Sequence, residues 1–344
     1  MKKSFFGVAA SLCLVLCVSF AFAAEQVVPY DLDCAANPAP ASPCCFLQPS
    51  FSTGFSQAGA ANYQFNFLAP TGLAGVNSLN LRTPAFPGFY LAGDLPYAVN
   101  DRLKVTLGAR WAPGYNSGQG EETYTIFNSP PIVFGRGWAS GDSDWVTADL
   151  LASYVLARNC SCLKDFSVVA GFRYDYHHMG LSDPIFSPLV INAKASDTIG
   201  FTTQTYEPVL GFTATFPGYR CGIYGGDIKL GVLGSPVAWG NVDYRETFGA
   251  VTPYALMAVN GNLDAGQTEF FCISAEATAV SWKMCSGLQA TVSIFADYTK
   301  FYGAGNLAGQ VTVSGIPGPV ETSAVGFAMS PDLLTAGLKI VLAF

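Results

Sequence analysis

Apolar residues alternate with small or polar ones along much of the chain. In residues 288–299, Leu288, Ala290, Val292, Ile294, Ala296 and Tyr298 share one parity, and Gln289, Thr291, Ser293, Phe295, Asp297 and Thr299 the other. Successive side chains of a strand point to opposite faces, so this segment has one greasy side and one wet side. The register recurs in residues 166–177, where Phe166, Val168, Ala170, Phe172, Tyr174 and Tyr176 oppose Ser167, Val169, Gly171, Arg173, Asp175 and His177. Residues 103–111, 146–156, 206–216, 271–279 and 334–344 follow the same rule, and no residue on the greasy parity of any of these segments is charged.

A water-soluble sheet also alternates, but it buries its apolar face. Two features favour the inverted arrangement, in which the apolar face meets lipid. Aromatic residues gather near strand ends (Trp111, Tyr174, Tyr176, Phe216, Tyr298, Phe344), where interfacial girdles sit. The connections also alternate in length. Short ones fall near residue 100 and at 157–165, 217–218 and 281–285, and long ones span roughly 112–143, 178–200, 235–266 and 302–331. Short turns belong to the periplasmic side of such barrels and long loops to the outside. A descending strand at 86–99, preceded by an ascending one through Tyr63, Phe65 and Phe67, brings the count to ten with both chain ends in the periplasm. A further hairpin in 310–329, turning at Pro317 to Pro319, would make twelve. The expected fold is therefore all-β: an antiparallel transmembrane β-barrel with long outer loops and short periplasmic turns.

The two ends of the chain fit this placement. Lys2 and Lys3 precede an apolar run over residues 5–20 that closes on Ala21, Phe22 and Ala23, the pattern of a cleaved secretory signal peptide at 1–23. Residues 24–57, with Pro29, Pro38, Pro40, Pro43 and Pro49, are assigned to a periplasmic segment, and 58–344 to the barrel. In the final strand Thr335, Gly337, Ile340, Leu342 and Phe344 resemble the carboxy-terminal assembly signal of bacterial outer-membrane β-barrel proteins. That resemblance covers ten residues. It implies a place in the cell outer membrane, with outer-membrane lipid and the barrel insertion machinery as partners.

Composition narrows the function classes. Half the residues are apolar, 12% are charged, the mean hydropathy is +0.32 and the net charge is −7. Such a chain is neither disordered nor built to bind nucleic acid. Without the leader eight cysteines remain, an even number in an exported protein, which reads as a disulfide framework. Cys34, Cys44, Cys45, Cys160, Cys162, Cys221 and Cys285 are the candidates, because they fall in the periplasmic segment or at periplasmic turns. Cys272 faces the lumen and is expected to lack a partner. Only two histidines are present, both at the opposite rim, so no Cys/His metal site is expected.

The wet parity supplies the candidate chemistry. Lys104, Arg110, Arg173, Lys229 and Lys339 face Asp149, Asp175, Glu207, Asp227, Glu276 and Asp297 as lumen-lining residues, a near balance that suits either a wet channel or an internal salt-bridge network. Asp175 and His177, with His178 beside them, form the one candidate catalytic group. Length and strand count are similar to those of the omptin proteases, in which rim carboxylates and a histidine activate water, although their flanking motifs have no match in this chain. No nucleophile elbow, phosphate loop or dinucleotide fingerprint occurs, and no cofactor is expected. The expected function is a small, weakly conducting pore for ions or small solutes. A closed structural or surface-interaction barrel is the alternative, and rim proteolysis a remote one.

Overall fold

The computed structural model describes residues 48–59, 62–68, 76–83, 85–125, 132–160, 163–186, 194–218, 226–249, 255–283, 289–313 and 320–343. They form the strands β1 (Ser50–Ala58), β2 (Asn62–Leu68), β3 (Val76–Arg82), β4 (Phe86–Ala98), β5 (Leu103–Thr125), β6 (Ile132–Cys160), β7 (Leu163–Phe186) and β8 (Lys194–Phe216). Then follow β9 (Ile228–Ser235), β10 (Trp239–Gly249), β11 (Ala255–Leu263), β12 (Glu269–Lys283), β13 (Gln289–Val313), β14 (Val320–Met329) and β15 (Asp332–Ala343).

The antiparallel pairings close two rings, one above the other. In the lower ring β1 pairs β4, and the order continues through β5, β6, β7, β8, β9, β12, β13 and β15 back to β1. In the upper ring β2 pairs β3, and the order continues through β5, β6, β7, β8, β10, β11, β13 and β14 back to β2. The strands β5, β6, β7, β8 and β13 run through both rings. Elsewhere two strands in succession, such as β9 and β10, make one wall stave, so the molecule is a closed ten-stranded barrel in two tiers. Among the described strands each has a neighbour on both sides, the condition a sheet must meet to cross a bilayer.

The lower tier turns its apolar residues outward. Phe172 is 65% and Leu107 57% exposed, and Phe51, Phe89, Leu150, Val168, Leu210, Phe212, Leu338 and Ile340 join them on the outer wall. Trp111, Tyr115, Tyr206, Trp239 and Tyr302 line its upper margin, and Tyr97 and Tyr154 lie toward the short turns. The inside is largely polar: Ser52, Ser56, Thr147, Asp149, Ser167, Arg173 and Glu207 are buried there, with Tyr90, Val169, Val209, Phe270 and Phe295 among them.

The upper tier reverses this facing. Val242 and Tyr244 point in while Asn241, Asp243 and Arg245 point out, and Met179, Leu181, Ile199, Phe201, Leu307 and Phe327 complete an apolar interior. A wall standing in water must bury its apolar face, which is the soluble half of the alternation rule.

Glycine matters most at the seam where the chain's two ends meet. Gly54 of β1 pairs Gly337 of β15, and a Cβ on either would fall within 2.1 Å of a backbone oxygen of the neighbouring strand. Tyr90 of β4 and Phe295 of β13 flank these strands and meet over the two glycines with ring centroids 5.4 Å apart. Side chains at 54 and 337 would fill the space that the two rings share.

The structure amends three expectations. The first membrane strand is β1, so the barrel begins at Ser50 rather than at 58. Only Phe51 and Phe55 mark its outer face, and Thr53 and Gln57 dilute the alternation. Much of the chain expected as long outer loops is strand, because β5, β6, β7, β8 and β13 continue above the lipid-facing belt. The arms of the 310–329 hairpin belong to the upper parts of β13 and β14 and add no staves, so the count is ten and not twelve. The leader 1–23, Phe344 and the cysteines at 34, 44, 45, 162, 221 and 285 lie outside the described residues, and Cys160 is described only as the last residue of β6. Cys272 faces inward and is buried, free among the described residues.

Candidate functional site

The lumen is the place where unlike chemistry converges. Strand alternation aims Lys104 and Arg110 of β5, Asp149 of β6, Arg173, Asp175 and His177 of β7, and Glu207 of β8 inward. Lys229 of β9, Glu276 of β12, Asp297 of β13 and Lys339 of β15 face the same interior. All but one of the lumen-lining residues expected from sequence are therefore inside. The exception is Asp227, which immediately precedes β9 and pairs with Lys164 among exposed groups. It stands before the first residue of β9, where alternation does not fix facing.

These charges form a chain that runs round the wall. Lys339 Nζ lies 3.1 Å from Glu276 and 3.8 Å from Asp94, and Arg110 lies 3.8 Å from the other oxygen of Asp94. Arg110 also pairs with Asp149, which receives a second guanidinium in bidentate form: Arg173 Nε donates to Oδ1 at 2.7 Å and Nη2 to Oδ2 at 3.2 Å. The same Arg173 stacks at 4.4 Å over the ring of Phe270, which returns the chain to β12, the strand that carries Glu276. Asp149 is only 2% exposed. A carboxylate so deep needs both partners, and the planar fork of arginine suits that bidentate task.

Above the charges lies a mixed layer and then an apolar one. Asp175 accepts from Thr147 Oγ1 and from Trp145 Nε1 at 3.2 Å. His177 stacks on Trp145 with centroids 4.9 Å apart, and its Nε2 lies 3.2 Å from Ser143 Oγ. Thr205 donates to Glu207 Oε1 at 3.0 Å. Glu207 Oε2 and His177 Nδ1 are buried with no hydrogen-bond partner among the described residues. Higher still, Phe201 of β8 reaches Phe327 of β14, with centroids 5.5 Å apart. These two strands are separated by three others in the upper ring, so the contact crosses the interior rather than following the wall.

Asp175 and His177 share the inward face of β7 as expected, but they are 7% and 6% exposed and each is engaged by other residues. His178 faces outward, its Nδ1 2.9 Å from Thr202 Oγ1. Asp144 also faces out and accepts from Trp111 Nε1 at 3.3 Å. No described group of three or more His, Cys, Asp or Glu side chains could hold a metal ion. Of the assembly-signal residues, Thr335 and Gly337 face in and Ile340 faces out, with Leu342 on the same parity as Ile340.

Asp94, Ser143, Trp145 and the apolar upper layer were not found from sequence. Asp94 stands between Gly93 and Leu95 in a strand whose neighbours point to lipid, so the parity of β4 carried its signal. The upper layer was hidden because the apolar parity changes partway along β7, β8 and β13. In β7 the apolar residues are even-numbered through Tyr176 and odd-numbered from Met179.

No family model and no curated protein matches the sequence. Among solved structures the chain is similar to the outer membrane protease OmpT from Escherichia coli, at 14% identity and a TM-score of 0.59, covering 86% of this chain and 96% of that one. It is also matched with the outer membrane protein OprG from Pseudomonas aeruginosa at 12% identity and a TM-score of 0.28, over 86% and 95% of the two chains. A major outer membrane protein from Thermus thermophilus matches at 14% identity and 0.26, over 84% and 98%. At these identities the likeness is one of fold, and only the first score is high enough to compare walls strand by strand. The fold is that of the bacterial outer-membrane β-barrels.

Proposed function

We propose that this protein is a closed barrel of the outer membrane that holds a folded β tier outside the bilayer as a surface, with a structural or interaction role. The observation that carries this is the pair of stacked interior barriers. The ion-pair chain through Glu276, Lys339, Asp94, Arg110, Asp149 and Arg173 lines the lower tier, and the Phe201–Phe327 contact spans the upper one. A barrel of about this strand number is narrow enough for side chains to fill. Export through a cleaved leader, insertion by machinery that reads Thr335, Gly337, Ile340, Leu342 and Phe344, and disulfides among the periplasmic cysteines belong to the same proposal.

A small conducting pore is the second reading. Its support is the polar lower lumen, where Lys104, Lys229 and Asp297 add to the ion pairs. Conduction would then require the upper apolar layer to part. Rim proteolysis draws on the OmpT likeness, but Asp175 and His177 are buried and already bonded.

The deciding experiment is conductance of the purified, heat-modifiable protein in a planar bilayer. A closed barrel gives no sustained current steps, and the double variant Phe201→Ala, Phe327→Ala, which thins only the upper layer, stays silent while the ion-pair chain of the lower tier is intact. Steps in the wild-type protein overturn the closed reading in favour of the pore. Cleavage of a peptide by wild type, lost in His177→Ala, would establish the protease instead.

A further inference from the structure

The mouth of the barrel at the short turns carries more ammonium than carboxylate. Lys104 is the second residue of β5 and Lys229 the second of β9, and strand parity turns both into the lumen, as it does Lys339 of β15. Two inward carboxylates stand beside them, Asp94 and Glu276, and Lys339 engages both, at 3.8 and 3.1 Å. Asp94 also meets Arg110 at 3.8 Å and accepts from Ser50 Oγ at 3.3 Å. Glu276 pairs Lys229 in register across β12 and β9, yet the ammonium that donates to it is that of Lys339. Asp297 lies deeper, opposite Ser274 and Thr335.

Lys104 and Lys229 are thus left with no hydrogen bond or ion pair among the described residues. Their charges also bear on one another: Lys104 feels Lys229 and Lys339, and Lys229 feels Lys339. Like charges gathered in a narrow opening with low-dielectric walls focus a positive potential into it.

The chain enters the wall at the same place. Gln48 N donates to Pro96 O at 3.4 Å and Leu342 N to Pro49 O at 2.9 Å, and Pro96 is two residues from Ala98, the partner of Lys104. Residues 24–47 contain Glu25, Asp31 and Asp33 and no Lys, Arg or His. Asp33 lies fifteen residues before Gln48. That is an extended reach of roughly 50 Å, against roughly 20 Å across a barrel of this strand number.

We propose that the acidic stretch at Asp31 and Asp33 docks in this mouth as the counter-charge of Lys104 and Lys229. The occupant follows from charge and tether. Two unpaired ammonium groups call for an anion, and a segment joined to β1 at the mouth presents its carboxylates there at high effective concentration. The inference goes beyond the closed-barrel reading and needs only that residues 24–47 lie on the side of the short turns.

Carbodiimide coupling of the full chain in detergent, folded as judged by heat modifiability, tests it, because the reagent joins carboxylate to amine only where the two are in contact. Wild type yields peptides that join Asp31 or Asp33 to Lys104 or Lys229. Lys164 coupled to Asp227, its partner among exposed groups, forms in every sample and shows that the reagent reached the protein. Acetylation is the second measurement: Asp31→Asn, Asp33→Asn raises the reaction of Lys104 and Lys229 with acetic anhydride severalfold and leaves Lys164 unchanged. Segment coupling to Lys164 alone, or none at all while Lys164 couples to Asp227, overturns the docking, as does equal acetylation of wild type and variant. Inorganic phosphate is the competing occupant. Phosphorus NMR line broadening by wild type that disappears in Lys104→Gln, Lys229→Gln overturns the segment in favour of a free anion, and broadening seen only once Asp31 and Asp33 are replaced supports it. None of these readouts is a conductance, so this proposal and the closed-barrel reading fail separately.

Discussion

The two tiers of the barrel use the same strands and opposite chemistry. Along β7, Val168, Ala170, Phe172 and Tyr174 face outward below, while Met179 and Leu181 face inward above. Along β8, Leu210 and Phe212 face outward below, and Phe201 and Ile199 inward above. The pairing of β7 with β8 is uninterrupted through the change, so hydrogen bonding does not explain it. What changes is the solvent outside the wall. Where lipid surrounds the barrel the apolar parity points out and the interior is left to polar groups that must satisfy one another. Where water surrounds it, the apolar parity points in and makes an ordinary core. The level of Trp145, Tyr176 and His177, where parity switches, therefore marks the upper membrane boundary.

If the tiers differ in this way, their interiors should fail differently. The largest effect is expected at Asp149. Asp149→Ala leaves Arg110 and Arg173 buried without their shared carboxylate, and breaking a buried ion pair from one side costs about 3 to 5 kcal/mol. In the upper tier Phe201→Ala removes a buried aromatic ring and opens a cavity, which costs about 3 to 5 kcal/mol by a different route. Unfolding of each variant by urea in lipid vesicles measures both. The contrast lies in rescue. A large apolar residue at 201, Phe201→Leu, should recover most of the loss, whereas Asp149→Leu should recover none, because Arg173 loses its carboxylate and Arg110 keeps only the longer contact to Asp94. Recovery at Asp149 would mean that the lower interior is a core like the upper one.

Charge on the outer wall separates the tiers next. Ala170 faces outward near mid-height of the lower tier, and Ala170→Arg should cost about 2 to 4 kcal/mol, seen as lower folding yield into vesicles. A smaller loss belongs to the seam. Gly337→Ala places a methyl group 2.1 Å from Thr53 O, and relief by backbone shift costs about 1 to 3 kcal/mol. Gly54→Ala should behave alike, since the two glycines face each other. A neutral result at both would remove the close approach of β1 and β15 as the reason that Tyr90 and Phe295 meet.

The lower tier was legible in the sequence because lipid imposes one rule over long stretches: residues 103–111, 146–156 and 166–177 keep a single uncharged parity, and the structure faces each as that rule requires. β1 escaped because Thr53 and Gln57 occupy half of its outward positions, and a strand of nine residues offers few others. The upper tier escaped for a different reason. Its alternation has the soluble sense, so a search for one greasy parity stops at Tyr176 and assigns Met179, Leu181 and Ile199 to a loop. Lumen charges were legible wherever the strand continued past them, as at Asp149 and Arg173. The pairing of Arg110 and Arg173 through Asp149 was not, because a sequence gives the facing of a residue and not the stave beside it.

The smallest predicted effect gives the finest measure of the boundary. β13 runs through both tiers and carries alanine at three outward positions: Ala296 in the lower ring, Ala304 just above Tyr302, and Ala308 well above it. One substitution, alanine to arginine, can thus be read at three heights on one strand with the same residue removed each time. At Ala308 the new side chain enters water, and a surface change away from caps and cores costs less than about 0.5 kcal/mol. At Ala304 the cost should be about 0 to 1 kcal/mol, the interfacial value, and at Ala296 it should rise toward the midplane figure of about 2 to 4 kcal/mol. Folding yields into vesicles that fall in the order Ala308, Ala304, Ala296 would place the bilayer edge at Tyr302. A cost at Ala308 equal to that at Ala296 would instead put the upper tier in lipid. The polar outer residues Asn241, Asp243 and Asn262 would then have no solvent to account for them.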